Sequence, residues 1–298
     1  MISTHPNYPE RFSQDYIHNN NKFAHWKHDV AETANKTWND IYLKYRPEYT
    51  DPSVKANEGK WADYSDVPYD VLKRRKTWIN NKLVPLTDTK IKFIDGKPVT
   101  PIVTGLTGRG MLGRFGPNHA ADPIVTRYNP QTGDLEFVAG LRADTNEELW
   151  CIPGGMVDEG ESVSLTLRRE FKEEVARNCS ENILDRIFDK KNGTVLYAGP
   201  TYGDPRTTDQ AWIETYVVHY HIDNNLAKML PLTHQEGENR AVKWISCDTE
   251  NLYGDHKRFI ELAKKNQKEK EYRKITIGAW FILISATAVF YLMRQAIY

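Results

Sequence analysis

Seven residues between Gly155 and Glu174 have types and spacings that are suited to binding a metal ion. They lie in the segment GGMVDEGESVSLTLRREFKEEV, residues 154–175, and they are Gly155, Glu161, Arg169, Glu170, Phe171, Glu173 and Glu174. At about 100° per residue, the last three glutamates share one helical arc roughly 100° wide. Carboxylates this close repel one another unless a cation lies among them, and Mg²⁺ fits such oxygen ligands, with Mn²⁺ as the alternative. The pattern predicts a metal site.

A helix must position these carboxylates, and its signals are local. Ser162 is a good N-cap, and an apolar stripe recurs every four residues, so we expect a helix over Ser162–Arg177. The stripe is Val163, Leu167, Phe171 and Val175. Arg169 is expected to pair with Glu161 and to fix the preceding loop, while the pair Gly154–Gly155 lets backbone approach the ion. The competing interpretation is a solvated helix face with incidental charges.

The segment resembles the Nudix box, GX5EX7REUXEEXGU, in which U is a bulky aliphatic residue. It departs from the pattern at Phe171, at Ala176 in place of glycine, and at Arg177. The resemblance implies a hydrolase that cuts the pyrophosphate of a nucleoside-diphosphate compound with a metal ion. It also implies a set of ligands and catalytic residues: Gly155, Glu170, Glu173 and Glu174 for the metal, and Glu170, Glu173, Glu174 and Arg169 for catalysis.

Further segments resemble the mitochondrial-type ADP-ribose pyrophosphatases and the Nudix-like domain of ADP-ribose-gated melastatin channels. They run from about Lys36 to Ala263 and include KYRPEYT, KWADYSDVP, GPNHAADP, DPRTTDQAW and VKWISC. This resemblance implies hydrolysis of ADP-ribose to AMP and ribose 5-phosphate. It places four residues at the substrate: His119, Asp204, Arg206 and Asp255. Taken singly, His119 is equally a structural histidine, and Asp204 with Arg206 a salt bridge within a loop.

Two questions stay open at this stage. The general base is either one of the three box glutamates or a loop acid such as Glu236 or Glu238. The alternative functions are a membrane-tethered module that binds ADP-ribose without turnover, and a Nudix hydrolase of another nucleoside diphosphate. An intact box argues against the first alternative.

Composition excludes other classes of protein. Forty Lys and Arg balance 40 Asp and Glu, so the basic excess of a nucleic-acid-binding protein is missing, and we expect a small-molecule partner. Cys151, Cys179 and Cys247 are widely spaced and predict neither a zinc site nor a disulfide framework. The oligomeric state is not indicated.

The pattern of elements predicts an α/β (α+β) fold: a Nudix α/β/α sandwich with a mixed sheet, after a smaller N-terminal domain. Strands are expected at Ile124–Tyr128, Glu136–Leu141, Val195–Tyr197 and Trp212–His221, with a turn over 129–134 and a second helix at His256–Glu271. The expected organisation is a polar segment over 1–35, an accessory domain over 36–117, the Nudix domain over 118–265, a basic linker over 266–274 and a membrane helix over 275–293.

The last of these segments, Ile275–Met293, has 19 residues without a charge. At ~1.5 Å per residue it would span about 28 Å, close to a bilayer's hydrocarbon core. We therefore expect a single-pass C-terminal anchor with the catalytic part facing the cytosol, in the mitochondrial outer membrane or the endoplasmic reticulum. The competing interpretation is a buried core helix.

Overall fold

The computed structural model describes residues 48–295 apart from 101–103, 105, 144–146, 202–203, 205 and 234–238. The side chains of residues 48, 274 and 277–295 also lie outside that description. The expected polar segment over 1–35 and the beginning of the expected accessory domain therefore fall outside the described residues, as do the loop acids Glu236 and Glu238.

Short elements precede the main sheet, as the many prolines and turn residues predict. They are β1 (Glu48–Thr50), α1 (Pro52–Lys55), α2 (Tyr69–Leu72), β2 (Lys76–Ile79), β3 (Lys82–Pro85), a 3₁₀ turn (Leu86–Asp88), β4 (Lys92–Ile94), β5 (Lys97–Val99) and β6 (Thr107–Gly110). Strands β2 and β3 form one hairpin and β4 and β5 another, while β1 pairs with β6 in parallel.

The remaining elements build one mixed sheet and its helices. They are β7 (Gly116–Tyr128), β8 (Leu135–Arg142), β9 (Trp150–Cys151), β10 (Gly155–Met156), α3 (Val163–Val175), α4 (Glu181–Ile187), β11 (Gly193–Pro200), β12 (Ala211–His221), α5 (Asn224–Met229), β13 (Asn239–Ser246) and α6 (His256–Gln295). Among the described residues the sheet has seven strands, in the order β11-β12-β7-β8-β13, with β10 beside β7 and β9 beside β8. The pairing of β12 with β7 is parallel and the others are antiparallel, so the predicted mixed sheet is confirmed.

Helices cover both faces of this sheet because its strands bury apolar residues on both sides. On one face, α3, α4 and α5 pack against residues that include Ala121, Val125 and Val218. On the other, Phe259, Ile260 and Ala263 of α6 pack against Ile124, Phe137 and Val217. The result is the predicted three-layer arrangement of helices, sheet and helix.

The elements that were predicted individually agree with their sequence signals. All four predicted strands and both predicted helices are present, with strands that extend further than expected. The turn after Tyr128 forms because the Asn129 side chain accepts hydrogen bonds from the N–H groups of Gln131 and Thr132, while Gly133 adopts a φ of 79°. Strand β13 and helices α4 and α5 had no explicit prediction.

The expected membrane helix is not supported. In the described portion of the chain, no helix combines the length and the apolar character needed to cross a membrane. Most of the stretch 275–293 lies in α6, but the side chains of residues 277–293 are outside the described residues.

The three cysteines are free and buried. Cys151 Sγ contacts the carbonyl oxygen of Gly140 at 3.2 Å. Burial raises the pKa of the Cys247 thiol to about 12, so this side chain is a neutral core residue.

Candidate active site

Helix α3 buries one apolar stripe and carries charged residues both beside that stripe and opposite it. Its N-cap is Ser162, whose hydroxyl accepts a hydrogen bond from the N–H of Leu165 at 3.4 Å. The predicted apolar stripe is buried at Leu167, Phe171 and Val175, and Val163 packs at its margin. At about 100° per residue, Arg169 lies opposite the centre of this stripe, Glu173 lies to one side, and Glu170 and Glu174 lie at its margin.

Ala176 ends α3 at the position where the Nudix pattern has glycine. Its φ of −142° and ψ of 37° lie outside the left-handed region, so a β-carbon is tolerated there. Its side chain is fully buried. The departure from the pattern therefore has a local explanation in how this helix ends.

Arg169 holds α3 against the loop that precedes it. Its Nε donates to Glu161 Oε1 at 3.0 Å, and its Nη2 donates to Glu161 Oε2 at 2.9 Å and to the Met156 carbonyl at 3.1 Å. These hydrogen bonds lower the pKa of Glu161 to about 2 and raise the pKa of Arg169. The expected pairing of Arg169 with Glu161 is present, and it joins the helix to the loop.

Two of the three box glutamates reach the glycine loop, and the third does not. The carboxylate of Glu170 lies against Gly155, where an added Cβ would be 2.4 Å from it. Glu174 Oε2 accepts a hydrogen bond from the N–H of Gly154 at 3.2 Å. Glu173 is 52% exposed and lies 3.3 Å from Arg169 Nη1. Of the three glutamates on the predicted arc, Glu170 and Glu174 therefore face the glycine loop, and Glu173 faces solvent.

The chemistry of this loop fits a hard divalent cation. Carboxylate oxygens of Glu170 and Glu174 flank a backbone with no side chain in the way, and Mg²⁺ and Mn²⁺ favour such oxygen ligands. Arg169 Nη1 lies 2.7 Å from Glu170 Oε1 and balances its charge. Within the described part of the chain, no three or more His, Cys, Asp or Glu side chains are grouped so as to hold a metal ion. The metal set of Gly155, Glu170, Glu173 and Glu174 stays a prediction.

A pocket of about 150 Å³ adjoins the loop. Gly154, Gly155 and Glu174 form one side of it. Three of the four predicted substrate residues also line it: Asp204, Arg206 and Asp255. Residues from distant parts of the chain therefore meet in one cavity beside the box.

Asp204 and Arg206 form a salt bridge within their loop, which is the other interpretation of these two residues in the sequence. Arg206 Nε donates to Asp204 Oδ1 at 2.9 Å, and Arg206 Nη2 donates to Asp204 Oδ2 at 2.8 Å. Both residues still line the pocket, so this bridge lies within the candidate site. Asp255, just before α6, lies 3.9 Å from Arg258 Nη2. These roles at a substrate stay predictions.

His119 lies on the opposite face of β7 from the pocket. Successive residues of a strand alternate in direction, and Ala120 and Asp122 are the ones that line the pocket. His119 Nε2 is 3.6 Å from Glu214 Oε2, and its ring is 6.1 Å from that of Trp78. The structure therefore does not bring His119 together with the other three predicted substrate residues.

Asp122 and His256 are among the pocket residues that the sequence patterns do not single out. Burial raises the pKa of Asp122 to about 6, although a hydrogen bond from Thr215 opposes the shift. His256 Nδ1 accepts a hydrogen bond from the N–H of Ile152 at 2.9 Å, so in the neutral ring the proton is on Nε2. Because side chains alternate along β7, Asp122 shares a face with Ala120. The sequence does not indicate that this is the face that lines the pocket.

The chain is similar to several known proteins over most of its length. Residues 117–263 match the NUDIX domain family. The chain is 43% identical over 240 residues to putative nudix hydrolase 6 of Caenorhabditis elegans, which covers 77% of this chain and 87% of that protein. It is 42% identical over 256 residues to the mitochondrial ADP-ribose pyrophosphatase of Rattus norvegicus, covering 77% of this chain and 71% of that protein.

The resemblance to melastatin channels is also found. The chain is 36% identical over 258 residues to the transient receptor potential cation channel subfamily M member-like 2 of Nematostella vectensis. That match covers 76% of this chain and 16% of the channel. The similarity is therefore to one part of a much longer protein.

Proposed function

Since this chain belongs to the Nudix family, we propose that it hydrolyses ADP-ribose to AMP and ribose 5-phosphate with Mg²⁺ or Mn²⁺. The observation that carries the proposal is the convergence of Glu170 and Glu174 on the Gly154–Gly155 loop, at the edge of the pocket that contains Asp204 and Arg206. Carboxylates for a metal and a guanidinium for a phosphate thus border one cavity.

The substrate assignment rests on the relatives and on the pocket. The relative from Rattus norvegicus is named an ADP-ribose pyrophosphatase and covers most of both chains. Carboxylates such as Asp204 and Asp255 are good acceptors for ribose hydroxyl groups, which suits the sugar half of ADP-ribose. The same relative is named mitochondrial, which favours a mitochondrial location for this chain.

Each residue has a separate task in the proposed reaction. A divalent ion, when bound, would neutralise the diphosphate and lower the pKa of a water molecule. Glu170 and Glu174, with the backbone at Gly155, would hold that ion, and Arg169 keeps the helix and loop in register. Water would add to one phosphorus while the bond from that same phosphorus to the bridging oxygen breaks; the other phosphate would leave with the bridging oxygen, and a nearby carboxylate would take the proton. The candidates for that base are Glu170, Glu173 and Glu174 of the box, and the loop acids Glu236 and Glu238.

The test is a substrate panel on the full chain. ADP-ribose, a nucleotide sugar and NADH are incubated with Mg²⁺, with Mn²⁺ or with a chelator, and the products are separated by chromatography. We expect AMP and ribose 5-phosphate from ADP-ribose only when metal is present. Glu170→Gln should reduce kcat by about 100-fold or more, because a metal ligand is lost.

Glu159→Gln is the matched control, because Glu159 is in the same segment but its side chain is 81% exposed. Its kcat should stay within about twofold of the parent value, as for most surface substitutions. Preference for another diphosphate would overturn the substrate assignment. Tight binding of ADP-ribose without turnover would instead support a non-catalytic binding module.

A further inference from the structure

The loop that carries Arg206 enters the interior of the protein just after that residue. This loop joins β11 to β12, and the structure describes its residues 201, 204 and 206–210. The side chain of Arg206 is 41% exposed, whereas Thr208 is 1% exposed and Asp209 is fully buried. The loop is therefore anchored within two residues of the guanidinium that borders the pocket.

The Thr208 hydroxyl is the centre of this anchor. It donates to the carbonyl of Gly108 in β6 at 2.6 Å, and it accepts from the N–H groups of Gln210 at 3.2 Å and Ala211 at 2.9 Å. A hydroxyl has one donor and two acceptor positions, so all three are used. One side chain thus shapes the end of the loop and joins it to β6.

Gln210 and Asp209 bind the same segment of the chain. Gln210 Oε1 accepts from the N–H of Gly108 at 2.9 Å, so the loop binds both polar backbone groups of Gly108. The N–H of Asp209 donates to the carbonyl of Leu106 at 2.6 Å, and Asp209 Oδ1 accepts from the Thr104 hydroxyl at 2.7 Å. Most of these groups are buried, so each lost contact leaves a polar group without its partner away from water.

The pocket side of the loop has no comparable anchor of its own. In the part of the chain that the structure describes, the side-chain hydrogen bonds of Arg206 go to Asp204, which is in the same loop. The N–H of Thr207 donates to the Asp204 carbonyl at 3.0 Å. These contacts make a compact unit of residues 204–207 but do not join it to the sheet. Its position therefore depends on the ends of the loop.

We propose that Thr208, together with Gln210, is a positioning residue that holds Arg206 at the pocket by fastening the loop to Gly108. The proposal rests on the proposed function, in which Arg206 supplies the guanidinium for a phosphate. Two residues span at most about 7 Å, so a shift of the chain at Thr208 also moves Arg206. Thr208 and Gln210 are absent from the pocket lining, and we assign neither a contact with the substrate.

The experiment compares Thr208→Val with Thr208→Ser. Valine has nearly the shape of threonine but forms none of the three hydrogen bonds, whereas serine keeps the hydroxyl. Misplacing Arg206 weakens one charge-assisted hydrogen bond to the phosphate, so Thr208→Val should raise KM for ADP-ribose by about 10-fold or more. Thr208→Ser should keep KM within about threefold of the parent value. We expect kcat to change by less than about threefold in both variants, because the metal loop is unchanged.

Thr77→Val is the matched control for the loss of a buried hydroxyl. Thr77 is 4% exposed, and its hydroxyl donates to Glu214, which faces away from the pocket. Urea unfolding should show that Thr77→Val and Thr208→Val are both less stable than the parent, while Thr77→Val keeps the parent KM. A similar increase of KM in Thr77→Val would show that general destabilisation is the cause, and the proposal would fail.

Cleavage by trypsin tests the positioning of the loop without any substrate. The bond between Arg206 and Thr207 should be cut faster in folded Thr208→Val than in the parent or in Thr208→Ser, because the loop leaves β6 more often. Mass spectrometry of the fragments identifies this cut. Faster cleavage together with weaker ADP-ribose binding, measured by calorimetry with a chelator present, supports the proposal even if the parent chain does not hydrolyse ADP-ribose.

Parent-like KM and Kd in a folded Thr208→Val, or a parent-like rate of cleavage after Arg206, would overturn the proposal. If that variant does not fold, Gln210→Ala takes its place, since it removes one contact with Gly108 at a partly exposed position. The same parent-like values in Gln210→Ala would then overturn it. If the parent chain neither hydrolyses nor binds ADP-ribose, the proposed function fails, and the cleavage rate alone decides whether Thr208 holds the loop.

Discussion

At the scale of single residues, the box segment divides its tasks among neighbours that look alike in sequence. Glu161 is a structural anion held by Arg169, whereas Glu170 and Glu174 face the glycine loop. Glu173 is directed to solvent. A side chain at position 155 would displace the carboxylate of Glu170, which occupies the space that a Cβ would take. Four glutamates of one segment thus have at least three roles.

The Glu161–Arg169 pair should contribute to stability. We expect Glu161→Gln to lower the free energy of unfolding at pH 7 by about 1–3 kcal/mol, because a partly buried arginine loses its charged partner. The folded pKa of Glu161 is lowered from 4.5 to about 2. The carboxylate's contribution is therefore present above pH 4.5 and lost as the pH falls through about 2.

Urea unfolding at pH 7 and at successively lower pH measures this effect. The difference in the free energy of unfolding between the parent and Glu161→Gln should become smaller as the pH falls. The free energy of unfolding of Glu159→Gln should equal that of the parent at every pH. A difference that stays constant from pH 7 to pH 2.5 would show that the loss is not electrostatic.

At the scale of elements, a buried polar network fixes α6 on the sheet. His219 of β12 is fully buried, with Nε2 2.7 Å from Thr126 Oγ1 and Nδ1 2.7 Å from Asn266 Nδ2 of α6. The hydroxyl of Tyr128 donates to Glu271, one turn further along the helix. This docking matters to the site because Asp255 and His256 lie at the beginning of the same helix.

Acid should weaken the docking of α6. Burial lowers the pKa of His219 from 6.5 to about 3, so the folded state favours the neutral ring. Stability from the neutral ring is present above about pH 6.5 and is lost as the pH falls toward 3, with a slope of up to about 1.4 kcal/mol per pH unit. His219→Gln should lose less stability between pH 7 and pH 5 than the parent chain.

Tryptophan fluorescence during urea unfolding at the two pH values gives the comparison. Gln131→Ala, at an exposed position of the turn after β7, serves as the control and should keep the parent's pH dependence. If the free energy of unfolding changes equally with pH in the parent and in His219→Gln, this histidine does not couple folding to pH.

At the scale of the whole molecule, polar contacts join the N-terminal elements to the sheet. Glu214 of β12 is 1% exposed and accepts hydrogen bonds from Trp78 N–H and Trp212 Nε1–H, each at 2.9 Å, and from the Thr77 hydroxyl. Arg75 donates to the carbonyl of Phe115 at 2.6 Å, just before β7. One buried carboxylate thus holds both the β2–β3 hairpin and the central sheet.

Removing that carboxylate should loosen the hairpin. Glu214→Leu leaves three donors without their acceptor, and we expect the free energy of unfolding to fall by about 3 kcal/mol or more. Glu214→Gln keeps one acceptor oxygen and should lose less. Limited proteolysis should cut the Glu214→Leu chain near residues 76–85 before the sheet is degraded, and a protease pattern identical to that of the parent would contradict this coupling.

Local signals in the sequence determined the helix that carries the box and the pairing next to it. An N-cap, a four-residue apolar repeat and an arginine eight residues after its glutamate all act over short distances in the chain, so α3 and the Glu161–Arg169 contact follow from them. Strand β12 and the end of β7 were also predictable, because β-branched and aromatic residues dominate them.

Only the tertiary structure decided which residues share the pocket. Arg142, Asp204 and Asp255 come from three distant regions, and their meeting depends on strand order, which no local pattern encodes. His119 and Asp122 are three residues apart on β7 yet face opposite sides, since the direction of a strand side chain alternates with register. The packing of α3 likewise separated Glu173 from Glu170 and Glu174, because the rotation of a helix is set by what its apolar face buries.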